Sequence, residues 1–186
     1  HIGVEVLSSS KRIMNEVMCL AEELEIPLYY QDTDSIHLPT EKVKELSNCF
    51  KEKYGRELIG EATGQFHTDF ELEGCKDIYA EKSIFLGKKC YIDSLVGKDI
   101  NTGEEKRGYH IRMKGIPTKS ILYQSKKLNI TPFELYKKLY DGEKIKFDLL
   151  KGIENGDEVN TPKFIFGNDM SVNMKQSFLR EICFKS

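Results

Sequence analysis

Seven residues, Tyr29-Tyr30-Gln31-Asp32-Thr33-Asp34-Ser35, form a polar stretch between two short apolar runs, and Pro27 just before them closes a helical pattern. Few local folds accommodate that order of signals. Val6, Ile13, Met14, Val17, Met18, Ala21 and Leu24 recur at three- and four-residue spacing, which predicts an amphipathic helix with a core-facing stripe. Leu28 to Tyr30 then reads as one strand and Ile36 to Leu38 as its return. Side chains two apart on extended chain project together, so Asp32 and Asp34 are expected side by side at the tip of a hairpin. Adjacent carboxylates repel each other, and a divalent cation or a shared proton relieves the repulsion.

Acidic tips also occur on hairpins with no function, because Asp, Thr and Ser are ordinary turn residues. A calcium loop is set aside: the third acid position falls on Ile36 and the required glycine is missing. An aspartic dyad for hydrolysis usually takes its carboxylates from two separate segments, unlike this pair.

Further along, Thr40 is the expected N-cap of a helix through Val43, Leu46, Phe50 and Tyr54. A strand-rich stretch follows. Phe70 and Leu72 alternate with acids, Ile84 to Leu86 is apolar, and Gly87 permits a turn into a strand from Lys88 to Leu95. Gly97 to Gly103 signals another turn, pairing that strand with Lys106 to Met113. Pro117 and Thr118 open a helix running to Leu128. Thr131-Pro132-Phe133-Glu134 combines a cap, a first-turn proline and a capping-box acid, and the helix it starts should end near Gly142. Ile145 to Leu149, Lys163 to Phe166 and Phe178 to Phe184 read as strands. The whole is an α+β arrangement of helices with antiparallel strands.

A chain of 186 residues holds one moderate domain or two small ones. With 39% hydrophobic and 31% charged residues it reads as globular rather than disordered. No apolar run has the length of a membrane span and no signal peptide is visible, so no membrane partner is expected. The five cysteines (19, 49, 75, 90 and 183) include no Cys-x-x-Cys pair, which argues against a zinc site and a disulfide framework. Cys19 and Cys49 read as small buried hydrophobes in helices, and the expected location is an intracellular, reducing compartment. His37, His67 and His110 read as isolated and structural. Charge is unevenly spread: residues 32–85 hold twelve acids against seven Lys plus Arg, and residues 105–151 hold twelve Lys plus Arg against five acids. An acidic centre beside a phosphate-gripping segment requires that asymmetry, although a charge run is often only a solvated face.

The string Tyr30 to Ser35 resembles the C motif of family B DNA polymerases, Tyr-x-Asp-Thr-Asp-Ser. Residues 1–18 resemble the palm helix that precedes this hairpin in the protein-primed branch, which includes polymerases of viruses, linear plasmids and mobile elements. Lys89-Cys90-Tyr91 matches the Lys-x-Tyr motif about sixty residues later, and Arg112-Met113-Lys114-Gly115-Ile116 resembles the strand that follows it. The resemblance spans roughly residues 1–118 and is faint beyond.

The resemblance implies the C-terminal half of a polymerase palm over residues 1–115 and a small thumb over 116–186. It implies template-directed nucleotidyl transfer from a deoxynucleoside triphosphate to a primer 3′ end, supported by two Mg2+ or Mn2+ ions. Asp34 corresponds to a direct metal ligand and Asp32 to an essential acid with less direct metal contact. Tyr30 corresponds to a packing residue, and Thr33 and Ser35 to turn-formers. Lys89 and Tyr91, two apart and expected on one strand face, correspond to contacts with the primer terminus, and Lys114 to a contact with the duplex backbone. The A-motif aspartate, the B-motif lysine and a proofreading exonuclease are expected upstream in a longer parent chain. The isolated chain is therefore expected not to extend primers. Expected partners are primer–template DNA, deoxynucleoside triphosphate, the upstream remainder of the polymerase and a terminal priming protein. Two other readings stay open: a metal-dependent nuclease using the same acids, and a non-catalytic binding module with an accidental acidic hairpin.

Overall fold

Three helices end in the same backbone motif, and each end is set by the residue placed in the left-handed region. In the computed structural model, which describes residues 2–147 and 170–172, helix α1 spans Ile2–Glu23. Glu25 adopts φ 54°, the amide of Ile26 donates to the Ala21 carbonyl at 2.8 Å, and that of Glu25 donates to Glu22 at 3.1 Å. This is a Schellman closure, with Ile26 tucked into the core beside Ala21. The helix thus stops before Pro27 is reached; the proline bars continuation but does not make the cap. Asn129 and Gly142 occupy the equivalent left-handed position after the third and fourth helices.

The chain divides into two compact units, residues 1–69 and 70–186. The first holds α1, a hairpin of β1 (Tyr30–Asp32) and β2 (Ser35–His37), a 3-10 turn (Thr40–Lys42) and α2 (Val43–Tyr54). Val17, Leu20, Ala21, Ile26, Leu46, Phe50 and Leu58 form its core, with Cys49 against it. Two expectations are corrected. Val6 is exposed because the core contacts of α1 begin only at its second half, and Cys19 is exposed because it lines the open side of the helix with Lys11, Arg12 and Glu16. Thr40 makes no side-chain cap; it begins the 3-10 turn, and Pro39 precedes it in extended conformation.

In the second unit β3 (Cys75–Gly87), β4 (Cys90–Asp99) and β5 (Glu105–Met113) form an antiparallel sheet in the order β3-β4-β5. Helices α3 (Thr118–Leu128) and α4 (Pro132–Tyr140) pack on one face, where Ile92, Ile111, Met113, Ile121, Leu135, Tyr136 and Leu139 form the core. The predicted capping box of α4 is present: Glu134 N–H donates to Thr131 Oγ1 at 3.2 Å, and Thr131 N–H donates to the Glu134 carboxylate at 2.7 Å. The Thr131 amide and then its hydroxyl, both donating to the Glu134 carboxylate, hold that carboxyl below the usual range.

Phe70 and Leu72, read as a strand, form none. Their alternation is met by lying across the other sheet face: Leu72 covers Gly97 and Gly108, which leave no room for a side chain beneath it. Strand β4 is consequently buried on both faces. A short pair, β6 (Ile145–Phe147) with β7 (Met170–Val172), completes the described elements. The strands expected at 163–166 and 178–184, and Cys183, lie outside the described residues. The division expected near residue 116 falls within the second unit, where Ile116 belongs to the same core as the sheet. Among the described residues, no helix is long and apolar enough to cross a membrane.

Candidate functional site: an acidic hairpin and a basic sheet end

Asp32 closes β1 opposite Ser35, leaving Thr33 and Asp34 as a two-residue turn. Only the first of the two has positive φ (26°), as in a II′-type turn, which ordinarily takes glycine there. Thr33 is β-branched, so the turn carries backbone strain. Two hydroxyls secure it: Thr33 Oγ1 donates to Asp32 Oδ1 at 3.1 Å, and Ser35 Oγ donates to the Asp32 carbonyl at 3.3 Å. Behind the turn the Tyr30 ring meets His37 edge-on at 5.5 Å.

The alternation argument for the two acids does not describe this tip. Asp34 sits in the turn rather than on extended chain, and is exposed where Asp32 is half-buried. Asp32 is thus an oriented carboxylate and Asp34 an accessible one. Two aspartates supply hard oxygen donors of the kind Mg2+ and Mn2+ accept, so the residues present fit a divalent cation in type. Among the described residues no group of three or more His, Cys, Asp or Glu is placed to hold a metal.

In the second unit Lys88 and Lys89 form the two-residue turn between β3 and β4. Lys89 has φ 57°, so it lies outside the strand, and the expectation that it shares a strand face with Tyr91 is replaced by a turn position. Its carbonyl accepts from the Lys114 amide at 2.8 Å, which brings two of the three expected DNA-contacting residues together. Tyr91, directly opposite Arg112, is only 7% exposed. Its ring lies 5.9 Å from Phe85 and 5.7 Å from His110, so it is a packed residue rather than an open platform. The neighbouring Cys90 thiol is pushed up to about 11 by burial.

Sequence reasoning missed the row beside it. Ser83, Asp93 and His110 stand opposite one another across the three strands. Asp93 is fully buried, accepting from Ser83 Oγ at 2.6 Å and lying 3.1 Å from His110 Nδ1, while Phe70 closes over His110. His110 is therefore structural but not isolated. The arrangement is no nucleophile triad, because the serine donates to the carboxylate and not to the imidazole. Only strand register brings residues 83, 93 and 110 together, and no sequence spacing announces it.

Two open grooves are lined by further cations. Lys11 and Arg12 line one of about 510 Å3 along α1 with Tyr54. Lys127, Lys138, Lys144 and Lys146 line another of about 480 Å3 near the ends of α3 and α4, with Lys138 paired to Glu143 at 3.1 Å. No protein-family model, curated protein or solved structure matches the chain.

Proposed function

We propose that the chain is the C-terminal palm and thumb portion of a DNA-directed DNA polymerase of family B, protein-primed branch, with the thumb beginning near residue 116. The observation carrying the reading is the Tyr30–Ser35 string standing on a two-residue hairpin tip, with Asp32 oriented by Thr33 and Asp34 exposed. Support comes from the second unit, where Lys89 and Lys114 meet at one sheet end.

In this reading Asp34 is the principal metal ligand and Asp32 the essential acid beside it. Bound divalent cations supply charge stabilisation to the attacking and leaving oxygens of nucleotidyl transfer. Lys89 and Lys114 neutralise backbone phosphates near the primer terminus without reading bases. Tyr91 contributes by locking the strand end that carries Lys89. The aspartate of the A motif and the triphosphate-gripping lysine belong to the upstream remainder of the polymerase, so the isolated chain holds half a catalytic centre.

The test is Mn2+ titration of the isotope-labelled chain, read as paramagnetic broadening of backbone amide signals. Broadening centred on residues 32–35, with a Kd on the order of 1 mM and lost in Asp34→Ala, is expected for a half-site of few ligands. Absence of broadening there overturns the reading. Mn2+-dependent DNA cleavage abolished by Asp34→Ala would replace it with the nuclease. Template-directed incorporation by the isolated chain, abolished by the same substitution, would overturn the half-centre assignment.

A further inference from the structure

We propose that Arg112 is a further contact to nucleic-acid phosphates and that the Tyr136 hydroxyl is the group positioning it. The identity of the nucleic acid rests on the polymerase reading; the phosphate contact rests on the sheet itself. Arg112 stands directly opposite Tyr91 in the β4–β5 register. Directly paired residues place their side chains on the same sheet face, so the guanidinium departs beside the Tyr91 ring. Two residues on, just past the end of β5, Lys114 donates its amide to the carbonyl of Lys89. Lys88, Lys89, Arg112 and Lys114 are all exposed, which makes this sheet end a cluster of four cations around one turn. A planar guanidinium among ammonium groups is suited to a bidentate grip on phosphate.

The backbone at Arg112 is held from the opposite face. Tyr136 of α4 is fully buried, and its hydroxyl donates to the Arg112 carbonyl at 2.7 Å. Burial pushes the phenol upward, so it remains a protonated donor throughout the physiological range. The Lys114–Lys89 bond sets the alternation of the ladder, which puts the Tyr91–Arg112 pair, two residues along, in the hydrogen-bonded class. The hydroxyl of a thumb-side helix therefore lands on the row that joins Tyr91 to Arg112. Its ring is fixed among Ile121, Leu135 and Leu139, so the contact is rigid.

The experiment uses the full chain and a labelled DNA duplex with a recessed 3′ end, with binding read by fluorescence anisotropy across a KCl series. Arg112→Ala is expected to reduce the slope of log K against log salt by about 0.9, one phosphate contact, and Arg112→Lys to retain it. Tyr136→Phe is expected to weaken binding about threefold in the wild-type background and not at all in Arg112→Ala, the signature of coupled groups. Matched thermal melting of Arg112→Ala and wild type keeps folding out of the comparison.

An unchanged slope in Arg112→Ala overturns the phosphate contact. An equal loss from Tyr136→Phe in both backgrounds overturns the positioning role. Absence of duplex binding by the wild-type chain overturns both. If the slope falls as expected but Mn2+ finds no site at Asp34, the phosphate contact stands and the polymerase reading fails.

Discussion

Two two-residue turns, Thr33–Asp34 and Lys88–Lys89, each force a non-glycine residue to positive φ, yet they are held in place by different means. The acidic turn joins strands of three residues and is secured by its own neighbours, through the hydroxyls of Thr33 and Ser35. The basic turn joins strands of thirteen and ten residues, and is secured from elsewhere, through the Lys114 amide and the packed row behind Tyr91. Local bonds are sufficient to aim a short polar tip in water. Placing a cation cluster at the end of a long sheet requires register, and register is a tertiary property.

The sharpest way to break this contrast is to remove one carboxylate from each unit. Asp93→Ala should cost about 3 kcal/mol in urea unfolding, because it leaves Ser83 and His110 facing a buried gap. Asp34→Ala, at an exposed tip, should stay within about 0.5 kcal/mol. Equal costs would show that the acidic turn depends on tertiary support after all.

Acid unfolding probes the far end of the same sheet. Asp99 is lowered to about 2, first by its bond to Lys106 and then by the amides of Thr102 and Asn101. A carboxyl depressed in the folded state contributes stability above its unfolded value near 3.9, and that contribution is lost as pH falls through the folded value. Stability should therefore decline between about pH 4 and 2, and Asp99→Asn should flatten that part of the profile. An unaltered profile would remove the pairing from the account of this hairpin end.

Glycine at the strained turn positions should give the smallest effect. Thr33→Gly and Lys89→Gly relieve about 1 kcal/mol of left-handed strain and add a comparable chain-entropy cost. Thermal midpoints should then move by no more than a few degrees in either direction. The consequences differ by region: Lys89→Gly should weaken duplex binding while folding is unaffected, and Thr33→Gly should free the Asp32 carboxylate and broaden the Mn2+ response. A large stability loss in either would show that the side chain, not the backbone, maintains the turn.

Much of this molecule is written in short-range signals. The capping box at Thr131–Glu134 and the turns after Gly87 and before Glu105 are local chemistry legible in the sequence, although β4 continues through Gly97 to Asp99 and leaves a shorter second turn than the expected 97–103. The acidic tip was equally legible, since its motif is contiguous. Other features were not. The alternation at Phe70 and Leu72 says that one side is buried but not against what, and the sheet face supplied the answer. A left-handed Glu25 ends α1 where the conspicuous Pro27 suggested the stop, because a Schellman closure depends on Ile26 finding the core.

Sequence alone determined the α+β class, the acidic hairpin and the segments rich in lysine and arginine, because periodicity, caps and turn residues act within a few positions. Tertiary structure decided that Tyr91 is buried, that Lys89 meets Lys114, that Asp93 joins Ser83 to His110, and that Tyr136 reaches Arg112. Those pairings span from ten to twenty-five residues, a separation at which strand register and core packing, not local propensity, select the partner.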